Sequence, residues 1–271
     1  MQPHDTSPHF ETITLAGASR PWLTLLHGAS QHSGLFGAQV DAFRARFRLL
    51  LVDLPGHGRS ADLPGPYGAA EYAAAAWRAL DLAGIERTHV WGTHTGAAVA
   101  LLLAVRAPAR FLSLVLDGAV LPGVDVPSVT ATIARARATA LAHGVAAARD
   151  EWFDQAAWFD VMRRHPEACR AREHRALIDA FGGGPWLDTS VPASVAPIHA
   201  ALDDLDVPVL LMNGEHDLPD FIAMADTLEA CLPRARRVVV PGAGGFPLWE
   251  RPVLVNAHVT AFLDDCEHHR F

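Results

Sequence analysis

Short apolar runs of strand length recur along this chain, with helix-length segments between them. That alternation restricts the fold more than any other feature. Residues 21–26, 49–53, 88–92, 112–117, 207–213 and 236–241 are leucine- and valine-rich, and residues 12–15 form a weaker edge strand. Helical patterns occupy residues 36–46, 69–82, 95–106, 219–230 and 252–266. Such alternation predicts an α/β fold, a mostly parallel sheet flanked by helices on both faces. Strands covered on both faces have no solvent side, so they read as continuous apolar runs.

One stretch breaks the rhythm. From residue 124 to 202 nothing reads as a strand, while 129–143, 145–159 and 166–181 read as helical. Gly182-Gly183-Gly184-Pro185 marks a tight loop or hinge. The expected organisation is a core from 1–121 and 204–271 with a helical lid at 122–203. Trp152, Phe153, Trp158, Phe159 and Trp186 either line a pocket roof or pack the lid onto the body.

At 271 residues the chain can bury one large core. The formal charge of −8 argues against a nucleic-acid partner. The chain has no lysine, which excludes a P-loop lysine, a Schiff-base lysine and a pyridoxal phosphate anchor. The glycine run at 182–184 does not follow a strand, so it is no dinucleotide fingerprint. Fifteen histidines match no zinc spacing. Cys169, Cys231 and Cys266 form neither a disulfide framework nor a metal pattern, which suits a reducing compartment. No apolar run approaches the ~20 residues that cross a bilayer. The first ten residues lack the apolar stretch of a secretion signal. The expectation is a cytoplasmic protein with a small-molecule substrate, no cofactor, and no membrane or nucleic-acid partner. Its alanine- and arginine-rich composition suggests a high-GC bacterial source.

Four motifs stand where strands end. They are Leu25-Leu26-His27-Gly28-Ala29, Asp53-Leu54-Pro55-Gly56-His57-Gly58-Arg59-Ser60, Gly92-Thr93-His94-Thr95-Gly96-Ala97 and Asn213-Gly214-Glu215-His216-Asp217. In an open parallel sheet, ligands bind beyond the carboxyl ends of the strands. Gly92 and Gly96 let the chain turn sharply from strand to helix and expose the side chain between them. The Thr95 amide, at a helix start, and the Ala29 amide would form a two-donor hole for developing negative charge.

In this order, from about residue 12 onward, the motifs resemble the α/β-hydrolase superfamily. The resemblance implies a serine, cysteine or aspartate at the elbow, an acid, and a histidine after the last strand. Here the elbow carries His94, and the histidine position aligns with Gly245 in Pro241-Gly242-Ala243-Gly244-Gly245-Phe246-Pro247. Asp217 fills the acid position, and Asp117 offers a second carboxylate at the end of the middle strand. With glycine at 245, the space of the missing ring is expected to be open. His94 could then reach Asp217 or Asp117 and act as a general acid/base. The chemistry suited to such a site is lyase cleavage, dehydration, or hydrolysis of an ester or lactone of a small or medium carbonyl compound. The competing reading is a binding protein on a scaffold that has lost catalysis. A third is an ordinary esterase using Ser30 or Ser33. His32, Ser30, Trp152, Trp158, Trp186 and Phe246 are candidate substrate contacts, with His32 alternatively a solvated loop residue. His27, His57, Asp53 and Arg59 read as structural, and Glu250 as an anchor for the last helix.

Overall fold

A computed structural model describes residues 7–15, 17–268 and 270–271. Seven strands form one sheet: β1 Phe10–Ile13, β2 Trp22–Leu26, β3 Arg48–Val52, β4 Thr88–Thr93, β5 Phe111–Asp117, β6 Val209–Gly214 and β7 Ala235–Val240. Their order is β1-β3-β2-β4-β5-β6-β7. β1 pairs antiparallel with β3, and the other pairings are parallel. The body helices are α1 Gly37–Phe43, α2 Ala69–Leu82 and α3 Thr95–Arg106. The segment between β5 and β6 holds α4 Pro127–His143, α5 Val145–Gln155, α6 Asp160–Arg164, α7 Ala171–Asp179, α8 Gly184–Leu187 and α9 His199–Leu202. Then come α10 Pro219–Cys231, α11 Pro247–Glu250 and α12 Pro252–Glu267.

β2 and β4 are buried along their whole length, as continuous apolar runs in mid-sheet should be. The chain leaves β2 toward β3 and returns on its other side to β4. The winding therefore reverses between β2 and β4, and a crevice opens beyond their carboxyl ends.

Departures from the sequence expectation sit where one neighbour or one turn decides the outcome. The edge strand runs from Phe10 to Ile13, not over 12–15, in register with Val52 to Leu49. The helix expected over 36–46 is a 3-10 turn, Ser33–Phe36, followed by the shorter α1. The helix expected over 145–159 stops at Gln155, and extended Ala156 leads into a 3-10 turn. That expected over 166–181 starts only at Ala171, after Arg170 at φ +47. Trp152, Trp158, Phe159 and Trp186 all join the hydrophobic core and Phe153 packs against it, while Trp152 and Trp158 also line a cavity. No helix among the described residues is long and apolar enough to cross a membrane.

Candidate active site

His94 stands at the tip of the turn between β4 and α3, at φ +48 and ψ −108. Its amide donates to the Asp117 carbonyl at 2.9 Å, pinning the elbow to β5. Only glycines fit on either side of it. A Cβ on Gly96 would lie 2.0 Å from the Leu26 carbonyl oxygen, and one on Gly92 would lie 2.3 Å from the Gly96 carbonyl oxygen. The elbow is thus intact as a piece of backbone, although its tip is an imidazole.

Above it lies a cavity of about 220 Å³. Ala29, His94 and Thr95 form its floor, with Ala69, Ala98 and Val120 beside them. Val129, Ile133, Trp152 and Trp158 come from the helical insertion, Phe221 from α10, and Phe246 from the loop after β7. No side chain in this lining bears a fixed charge. Among the described residues, the Ala29 and Thr95 amides donate to no other group. Ala29, Thr95 and the elbow residue His94 therefore line one apolar cavity.

The imidazole lies between Phe221 and Phe246, with ring centroids 5.1 and 4.9 Å away. Nδ1 is 3.1 Å from Thr93 Oγ1. Nε2 is shut from solvent with no hydrogen-bond partner among the described residues, close to Gly118, where a Cβ would lie 2.7 Å from it. Glycine at 118 thus makes room for the larger elbow residue. Burial pushes His94 down to about 4, opposed by the Gly245 carbonyl, so the ring is neutral at physiological pH.

Two expectations are corrected here. The space beside Gly245 is not open. A Cβ there would lie 2.6 Å from Trp158 Cβ and 2.8 Å from the Trp158 carbonyl oxygen, because the insertion packs into the volume. Nor does His94 bond to a carboxylate. Asp217 is committed elsewhere, accepting from Asn213 Nδ2 at 2.9 Å and the Leu218 amide at 2.8 Å. Both Asp117 carboxylate oxygens are buried without a hydrogen bond from the described residues. Burial, with Asp217 nearby, raises Asp117 well above the usual carboxylate range. Burial also pushes Asp217 up to about 6 and Glu250 to about 7. Glu250 does not anchor α12; its Oε2 accepts from the Gly244 amide in the loop after β7.

A carboxylate freed from a histidine partner and buried at this cost should be dispensable. Asp217→Asn is expected to raise stability at pH 7 by about 1 kcal/mol, since the amide carries no desolvated charge. Asn213 Oδ1 is buried and unpartnered, so a flip of that amide would accept from the new NH₂ group. Thermal unfolding at pH 7 checks this, and a lowered midpoint would mean the carboxylate is needed where it stands.

The remaining candidates divide. Trp152, Trp158 and Phe246 reach the cavity. Trp186 stands behind them, against Trp152 and Phe181 at centroid distances of 5.4 and 4.8 Å. His32 turns away, its Nδ1 accepting from the Gly34 amide at 3.1 Å. Ser30 is buried at φ +54 with an unpartnered hydroxyl, outside the cavity lining and without a base beside it. Ser33 gives its amide to Asp53 Oδ1 at 2.8 Å, at the start of a 3-10 turn. Neither serine has the surroundings of a nucleophile. His27 Nδ1 donates to the Gly28 carbonyl at 2.7 Å, and its Nε2 accepts from the Leu54 amide at 2.9 Å. Phe221, on α10, was not among the sequence candidates. Neither was His174, whose ring is fully buried against Phe246. Its signal was positional: Ala171, His174 and Ile178 form the buried stripe of an otherwise charged helix.

Residues 21–252 match the family of the alpha/beta hydrolase fold, and the chain belongs to that family. Over 267 residues it is 30% identical to the pimeloyl-acyl-carrier protein methyl ester esterase of Nitrosomonas europaea, covering 91% of this chain and 95% of that one. A hydrolase from Pseudomonas aeruginosa PA01 matches with a TM-score of 0.78 at 25% identity, over 94% of this chain and 93% of its own. The enol-lactonase of Burkholderia xenovorans LB400 shares the fold, with a TM-score of 0.82 at 22% identity over 95% of this chain and 96% of its own. By family and relatives the chain stands among hydrolase-type enzymes.

Proposed function

We propose that the chain acts on a small or medium uncharged carbonyl compound, held in the cavity beneath a lid formed by residues 122–203. The Ala29 and Thr95 amides polarise the carbonyl; His94 takes a proton from an attacking water, or from the adjacent carbon, and returns it to the leaving oxygen. The observation that carries this reading is that Ala29, Thr95 and His94 line one apolar cavity, with neither amide claimed by another of the described residues. Donors fixed before reaction stabilise an oxyanion or enolate at no reorganisation cost, and the apolar walls strengthen each of them.

Without a carboxylate partner, His94 is a weak base in the empty site. The charge that favours its protonated form is the negative charge that develops on the carbonyl oxygen beside it. Proton transfer and oxyanion formation are therefore concerted, which suits activated esters, lactones and acidic α-carbons better than amides. The names of the relatives, an ester esterase and an enol-lactonase, point the same way.

The buried Nε2 favours a second reading, a ligand-binding protein without turnover, because an imidazole nitrogen shut from the cavity cannot exchange a proton with its contents. Steady-state assays on p-nitrophenyl esters from acetate to octanoate, γ- and δ-lactones, and β-diketones separate the two. Turnover of uncharged members is expected. A panel that binds and returns chemically unchanged would establish the second reading.

A further inference from the structure

The segment from Gly28 to Gln31, which carries the Ala29 donor, is held in an unusual way. Among the described residues, none of its amides donates to a backbone carbonyl. Ser30 within it sits at φ +54, a conformation that persists only where the surroundings impose it. Two side-chain bonds reach the segment. One is local, from His27 Nδ1 to the Gly28 carbonyl at 2.7 Å. The other comes from far along the chain: Gln31 Nε2 donates to Nε2 of His174 at 2.9 Å, across 143 positions.

His174 belongs to α7 of the insertion and is itself immobilised. Its ring packs against Phe246, Trp249 and Phe159 at centroid distances of 4.8, 5.0 and 5.5 Å. Phe246 also packs on His94, so both imidazoles share one phenyl ring. Gln31 is buried as well, at 2% exposure. A ring that accepts at Nε2 must be neutral with its proton on Nδ1. Burial and the nearby His94 push His174 down to about 3, which keeps it neutral at physiological pH.

We propose that His174 is a positioning residue for the Ala29 donor, acting through Gln31, so that the insertion helps to build the two-amide hole as well as to cover it. This rests on Ala29 serving as a donor to the bound carbonyl, and its test stands apart from that reading. Backbone ¹⁵N relaxation of residues 28–31 is compared in the wild type, His174→Leu, Gln31→Leu, the double variant and His174→Gln. The wild type should show order parameters near 0.85 in this segment, roughly the value of rigid backbone. Either leucine variant should drop them below about 0.6 while α3 keeps its own. The double variant should be no more mobile than either single one, because both remove the same bond. His174→Gln, whose carboxamide oxygen can still accept from Gln31, should stay ordered.

Unchanged order in both leucine variants, or equal loosening throughout the chain, would overturn the proposal. On any ester the protein hydrolyses, the leucine variants should lower kcat about tenfold with KM within about twofold. A protein that hydrolyses none of the panel defeats the catalytic reading and leaves the relaxation result standing.

Discussion

Restoring the two residues that the superfamily pattern calls for, as His94→Ser with Gly245→His, is expected to lower the melting temperature and to give no esterase activity. The obstacle is backbone. A Cβ at position 245 would meet the Trp158 carbonyl oxygen at 2.8 Å and its Cα at 3.0 Å, so trimming the Trp158 side chain would not open the site. Overpacking a filled core costs about 1–3 kcal/mol, and a collision with main chain belongs at or beyond the upper end. Asp217 is also turned to Asn213 and the Leu218 amide, so that carboxylate is not free to orient a new ring. His94→Ser alone should fold, because it only removes volume. Thermal unfolding and p-nitrophenyl butyrate hydrolysis of the single and double variants check both halves. A double variant as stable as the wild type, with a burst of acyl-enzyme, would contradict the position of the insertion.

Acid should unfold this protein unusually early. Burial pushes His27, His89 and His94 down to about 4, and His57 and His174 to about 3. A histidine kept neutral by the fold protonates near 6.5 once unfolded, so its stabilising contribution is lost as pH falls from about 6.5 toward 4. The buried carboxyls oppose this. Asp217, Glu250 and Asp117 hold their protons longer in the folded state, so they add stability as pH falls through the same window. Each group is worth roughly 1.4 kcal/mol per pH unit while its folded and unfolded forms differ in protonation. Five histidines outweigh three carboxyls, leaving a net loss of roughly 2–3 kcal/mol per unit. Over the window from about pH 6.5 to pH 4 this removes roughly 5–7 kcal/mol, so a domain at the low end of the usual range of about 5–15 kcal/mol should unfold between about pH 5 and pH 4 at room temperature. Denaturation curves at half-unit steps from pH 7 to 4 measure it. A stability that is flat or rising down to pH 5 would mean the imidazoles are not held neutral.

The strand positions were legible because the sheet buries both faces of its central strands. Residues 22–26 and 88–93 have no solvent side, so their pattern admits no other assignment. The elbow turn was legible for a related reason: a sharp turn at a strand end demands glycines at fixed offsets, and Gly92 and Gly96 are present. What the pattern could not convey was occupancy of space by distant segments. Gly245 reads as a vacancy until Trp158, 87 positions earlier, is found filling it. Asp217 reads as the acid of a catalytic pair until Asn213, four positions away, is found holding it. His174 reads as one polar residue among the charges of α7, and only the packing shows it on Phe246, the ring that also meets His94. The resemblance to a family located the elbow; side-chain packing across the insertion decided what surrounds it.

Central to the proposed reaction is a neutral imidazole, in place of a hydroxyl, that takes a proton from a water attacking a carbonyl, or from the adjacent carbon, while two backbone amides hold the carbonyl oxygen. The most direct measurement is kcat/KM of His94→Ala beside the wild type on the best ester or lactone of the panel, with both melting temperatures recorded. The account predicts a loss of about 10²-fold or more, with the fold intact to within a few degrees. Undiminished turnover by a folded His94→Ala protein would contradict it.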